Sequence, residues 1–141
     1  MCNVCHNTPV LPFQFTLQPG TPVHEQVAFA GRKAIVSGKF RPGDAFPSVR
    51  TLSRELKIHA NTAQKVIAQL KQEGLLEVHP GIGTVVAQPS RSSRSERIRV
   101  LKPAIDQLTV EAARLGVTLE ELQLLVADNW RTLRHEELQL K

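Results

Sequence analysis

Apolar positions along this chain recur at recognisable spacings, and each spacing predicts an element. Val49, Leu52, Ser53 and Leu56 fall at i, i+3, i+4 and i+7, one face of a short helix. Ala63, Val66, Ile67 and Leu70 repeat that spacing after Lys57-Ile58-His59-Ala60, a stretch too short for anything but a tight turn. Ser48 can accept the free amide protons at the start of the first helix, and Gly74 stands where a left-handed residue ends the second. Two short helices joined in this way predict a helix-turn-helix. The second helix presents Asn61, Thr62, Gln64, Lys65, Ala68, Gln69 and Lys71 outward, with no acid among them.

Upstream, Pro22 marks a helix start and Gly38 a helix end; Val27, Ala30, Ala34 and Ile35 supply a narrow apolar stripe between them. Arg41-Pro42-Gly43-Asp44 reads as a turn. Downstream, Leu75–His79 and Gly83–Ala87 are β-capable runs joined by Pro80-Gly81-Ile82, so a hairpin, or wing, follows the helix pair. The period then changes. Ile98, Leu101, Ile105, Leu108, Ala112 and Leu115 are spaced like a coiled-coil seam. Pro103 lies inside it, where it either kinks the helix or marks its first turn, and Gly116 closes it. Thr118 and Glu121 form a capping box ahead of Leu122, Leu125, Val126, Trp130 and Leu133, a second amphipathic helix.

The seam could pack the two tail helices on each other, but a two-helix unit has too little core to stand alone. A homodimer is therefore expected, closed by Leu101, Ile105, Leu108, Ala112, Leu115, Leu122, Val126 and Leu133. The expected fold is mainly α with a small β-hairpin: a winged helix-turn-helix DNA-binding domain plus a C-terminal two-helix dimerisation unit. The expected organisation is an N-terminal arm at 1–19, the winged helix-turn-helix domain at 20–88, a hinge at 89–97 that also reads as a helix start, and the dimerisation tail at 98–141.

Charge sharpens this picture. The 141 residues carry a net charge of +5, which suits a polyanionic partner. Residues 1–90 hold nine Lys/Arg against five Asp/Glu, and 103–141 hold four against seven. Between them Arg91, Arg94, Arg97, Arg99 and Lys102 face only Glu96, a block that reads either as a solvated face or as a second phosphate-binding surface. No Tyr, one Trp and five Phe leave little for stacking single-stranded bases. An enzyme is not expected, because His24, His59, His79 and His135 fall in separate elements without a nucleophile or carboxylate partner. No run approaches the ~18 apolar residues of a membrane helix, and no secretory signal is visible at the start, so a cytoplasmic protein is expected.

Cys2-x-x-Cys5-His6 matches the c-type haem attachment spacing. No export signal or apolar pocket segment accompanies it, and two thiolates with one imidazole fall one ligand short of a closed zinc site. An incidental arm is the first reading, and a metal- or redox-responsive arm at Cys2, Cys5 and His6 is the alternative. No cofactor is expected, and no residue pattern specifies a small-molecule effector.

Gly38, Pro42-Gly43-Asp44, Pro47-Ser48-Val49-Arg50, Leu52-Ser53, Leu56, Asn61-Thr62, Val66, Leu70, Glu73-Gly74-Leu75 and Gly81-x-Gly83-Thr84-x-Val86 together resemble the GntR family of bacterial regulators. The short tail looks like its YtrA subfamily, in which a helix pair dimerises the protein. The resemblance implies a repressor acting as a homodimer on a palindromic double-stranded DNA operator, often of an ABC transporter operon. Arg50 matches the family's DNA-contacting arginine, and Ser48 beside it is grouped with it. A helix entering the major groove reads bases with its first turns, here His59, Ala60, Asn61, Thr62, Gln64 and Lys65. Asn61 and Gln64 suit adenine; Gly81 and Gly83 let the wing approach the DNA backbone. The chain departs from the family pattern at Pro80 of the wing tip, at Ala60 and Gln64 where relatives carry arginines, and at His24, where the subfamily has an aromatic residue.

Overall fold

The computed structural model describes residues 11, 16–89 and 91–138, and Cys2, Cys5 and His6 lie outside the described residues. The element order is α1 (Val23–Val36), α2 (Val49–Leu56), α3 (Ala60–Gln72), β1 (Leu76–His79), β2 (Gly83–Val86), α4 (Arg94–Arg114) and α5 (Leu119–Leu138). The chain divides into two compact units, the first holding the described residues up to Pro89 together with those from Glu136 onward, the second holding residues 91–135.

The first unit is built on α3. Ala63, Val66, Ile67 and Leu70 are buried, as the spacing predicts, together with Leu52 of α2 and Val27, Ala28 and Ala34 of α1. Gly31 completes the α1 stripe. A Cβ there would lie 3.3 Å from Leu70 Cδ1 and 3.6 Å from Phe46, so the absent side chain lets α1 approach the core closely. The α2–α3 connection is fixed by local bonds. Lys57 adopts the left-handed conformation (φ 54), the Ile58 amide donates to Ser53 O at 3.1 Å, and Ser53 Oγ donates to Ile58 O at 2.7 Å. Ser48 caps α2, its Oγ accepting from the Thr51 amide at 3.2 Å.

β1 and β2 form an antiparallel pair running from Leu76 opposite Val86 to His79 opposite Gly83. The hairpin does not stand alone. The amides of Gly43 and Phe46 donate to Val86 O (2.8 Å) and Thr84 O (2.9 Å), and the Val86 amide donates to Asp44 O (2.9 Å). Residues 43–46 thus line the other edge of β2, tying the base of the wing to the loop before α2. Phe40 and Phe46 meet with ring centroids 5.2 Å apart at the same place. The one buried polar side chain among the described residues, Ser37, donates to Ala34 O at 3.3 Å.

In the second unit α4 begins at Arg94, earlier than the apolar seam, so the last four residues of the expected hinge are helical. Ser93 is the reason: its Oγ accepts from the Glu96 amide at 3.2 Å. Pro103 sits inside α4, not in its first turn. The capping box forms as predicted, with the Thr118 amide donating to Glu121 Oε2 (2.8 Å) and the Glu121 amide donating to Thr118 Oγ1 (3.2 Å). Among the described residues α4 and α5 do not pack along each other's length. Ala112 is buried, and Leu122 and Leu133 are half-buried. Ile98, Leu101, Ile105, Leu108 and Leu115 are 44–62% exposed, and Val126 and Trp130 are exposed too. Arg134 lies over the Trp130 ring, 5.5 Å from its centroid.

Candidate nucleic-acid interface

Burial of Ala63, Val66, Ile67 and Leu70 turns the other side of α3 to solvent. Ala60, Asn61, Gln64, Lys65 and Ala68 are exposed there, and Thr62 is half-buried. His59 is the N-cap residue by its extended backbone (φ −61, ψ 144), but its side chain caps nothing. Asn61, one residue inside the helix, is therefore not the cap, and its amide is left for another partner. Arg50, the second residue of α2, is exposed. Neither Arg50 nor Lys65 has an acidic partner among the described residues.

The helix termini differ in a way that matters for anions. The first turns of α1, α4 and α5 carry Glu25, Glu96, and Glu120 with Glu121. The first turns of α2 and α3 carry no acid. A helix N-terminus holds roughly half a positive charge on its unbonded amides. At α2 and α3 that charge is uncompensated from within, which favours phosphate.

At the wing tip the Ile82 amide donates to His79 O at 3.1 Å, and Gly81 (φ +79) and Gly83 (φ +105) take conformations other residues avoid. Space around both glycines is open. Their role within the chain is the turn itself. Ile82 is 70% exposed, and His79 Nε2 stands 3.4 Å from Glu77.

His24, the departure from the family pattern, lines an open cleft with Lys65, Gln69, Gln72 and Glu73. Its position was readable: His24, Val27, Ala28 and Gly31 follow helical spacing, so the histidine extends the buried stripe of α1 toward α3. The loop pairing of residues 43–46 with β2 had no such signal, because it joins segments some forty residues apart.

Among the described residues no group of His, Cys, Asp and Glu could hold a metal ion, and no helix is long and apolar enough to cross a membrane.

A helix-turn-helix with its wing, presenting a basic and acid-free helix face, defines a DNA-binding transcription regulator. The model of the gntR family of bacterial regulatory proteins matches residues 24–86. The HTH-type transcriptional repressor YtrA of Bacillus subtilis is 31% identical over 110 residues, covering 77% of this chain and 85% of that protein. The chain belongs to the GntR family, whose members are regulators and not enzymes. In fold it is similar to a transcriptional antiterminator from Listeria monocytogenes EGD-e, with a TM-score of 0.76 at 20% identity over 88% of this chain and 95% of that one. It is also similar to YtrA from Sulfolobus acidocaldarius, a GntR-family transcription factor, with a TM-score of 0.52 at 24% identity over 84% and 97% of the two chains.

Proposed function

We propose that the protein is a cytoplasmic repressor that binds a palindromic operator as a homodimer and blocks a promoter, with an ABC transporter operon as its target. The observation that carries this reading is the exposed outer face of α3. It bears no acid, it starts at an uncompensated helix N-terminus, and the unpaired Arg50 and Lys65 stand in the first turn of α2 and the second turn of α3. In this reading His59, Ala60, Asn61, Thr62, Gln64 and Lys65 enter a major groove. Asn61 and Gln64 offer the paired donor and acceptor that adenine N6 and N7 require. Arg50 holds guanine or phosphate through its planar fork, Ser48 seats the start of α2 beside it, and Gly81 and Gly83 carry the wing along the backbone.

The exposed seam supports the dimer. A row of half-exposed Ile and Leu on a helix with no partner along its length among the described residues is unusual on a free monomer surface. Burying Leu101, Ile105, Leu108 and Leu115 against a second copy, flanked by Ala112, Leu122, Val126 and Leu133, removes it from water. Two recognition helices would then address half-sites about 34 Å apart. Selection of duplexes from a random pool by the purified protein, followed by footprinting, tests the whole reading. An inverted repeat protected in two adjacent grooves is expected; a pool that stays unenriched refutes it.

A further inference from the structure

We propose that Arg91, Arg94, Arg97 and Lys102, at the start of the second unit, form an additional phosphate-binding surface that grips the duplex backbone next to the winged helix. The proposal rests on the DNA-binding reading above and adds a contact region to it.

Four observations carry it. First, these cations are exposed and have no acidic partner among the described residues; only Arg99 of the block is paired, with Glu96 at 3.9 Å. Second, Arg94 and Arg97 occupy the first turn of α4, where the helix dipole disfavours cations. Nothing in the folding of α4 calls for them there. Third, three acids of the tail are engaged locally, while Asp106, four residues after Lys102 on the same helix, makes no ion pair with it among the described residues. Glu111 is bonded to Arg114, Glu121 closes the capping box, and Asp128 pairs with Arg131 at 2.8 Å. Fourth, Arg94 falls on the spacing of the apolar seam, four residues before Ile98 and seven before Leu101. Arg94 thus prolongs the face that the dimer closes, and both protomers bring like charge to it. A polyanion lying across that face relieves the repulsion that an apolar interface cannot.

The covalent chain sets the reach. Four residues lie between Val86, the last residue of β2, and Arg91, which places the two at most ~18 Å apart along extended backbone. Guanidinium groups suit phosphate oxygens through two parallel bonds.

The test compares the wild type with the quadruple variant R91Q/R94Q/R97Q/K102Q, and with R131Q as a charge control. The probe is a mixed-sequence duplex of about 30 base pairs, or three helical turns, titrated over a range of KCl concentrations. Each lost phosphate contact lowers the slope of log K against log salt by about 0.9. The quadruple variant is expected to lose about 2–3 in slope and roughly 10- to 100-fold in affinity at low salt. R131Q should keep the wild-type slope, and sedimentation of the quadruple variant should match the wild type. The milder R94Q/R97Q pair, expected to lose about half as much, serves if the quadruple variant folds poorly. An unchanged slope overturns the proposal. So does a loss of affinity that accompanies dissociation to monomers, since the cations would then be serving acids of a second copy. A wild-type protein that retains no duplex at any salt overturns the DNA-binding reading itself, a result separable from the other two.

Discussion

Arg32 of α1 and Glu73, the residue following α3, meet as a two-pronged ion pair with N···O distances of 2.8 and 2.6 Å. The pair fastens the end of the recognition helix to the middle of α1, forty-one positions away in the chain. Gln69 adds a third bond to the same carboxylate at 3.3 Å. The Arg32 hydrogen bonds hold the Glu73 carboxyl below its ordinary value of 4.5, against the opposing effect of burial. Because the folded state favours the ionised form, the stabilisation is present above the ordinary carboxylate range. It is lost as pH falls through the lowered folded value. Glu73→Gln should cost about 1 kcal/mol at neutral pH, a modest figure because the pair is partly solvated. The gap between variant and wild type should close as the solution is acidified below about pH 4. Urea midpoints measured across that range check both points.

Gly31 sets the distance between α1 and the core. Gly31→Ala gains up to ~1 kcal/mol of helix propensity but must push Leu70 Cδ1 from 3.3 Å. The two effects should nearly cancel. Gly31→Val adds further methyls against a fully buried leucine and should destabilise by about 1–3 kcal/mol. Thermal unfolding of the two variants gives the ordering.

Ser48 and Arg50 are two residues apart and should behave in opposite ways. Ser48→Ala removes a cap and should lower stability by about 1 kcal/mol. Arg50→Ala removes an exposed side chain without an ion partner. Its melting temperature should stay at the wild-type value while duplex affinity falls by about 1–3 kcal/mol. Equal affinities in the same salt would remove Arg50 from the interface.

Leu108 lies in the exposed seam at 44% exposure. Leu108→Asp should give monomers by sedimentation, while circular dichroism shows the winged helix intact. Dimers that persist would mean the seam is not the contact.

Much of the first unit was legible because local rules and burial agree there. The α2 and α3 spacings, the Ser48 cap and the Gly74 stop all describe contacts within a few residues. The wing was legible to within one residue at two of its ends: β1 starts at Leu76, not Leu75, and β2 stops at Val86, not Ala87. Two features escaped. Pairing of 43–46 with β2 is a long-range contact with no periodicity of its own. The start of α4 was left open because the apolar seam begins only at Ile98 and residues 89–97 read equally as hinge or helix start; the Ser93 hydroxyl decides it, starting the helix at Arg94. Pro103 leaves the Arg99 carbonyl without its helical donor. On so exposed a helix water can supply that bond, so the residue neither begins nor ends the element.

The single tryptophan, Trp130, stands on α5 as a residue 61% exposed, three residues before Leu133 and four after Val126. The molecule therefore carries a natural optical reporter on the helix pair and none on the winged helix. As concentration rises, covering of the indole by a second copy should move its emission to shorter wavelength, with no dye attached. During denaturation that emission follows the tail, while ellipticity follows both units. Divergence of the two traces would reveal that they melt separately.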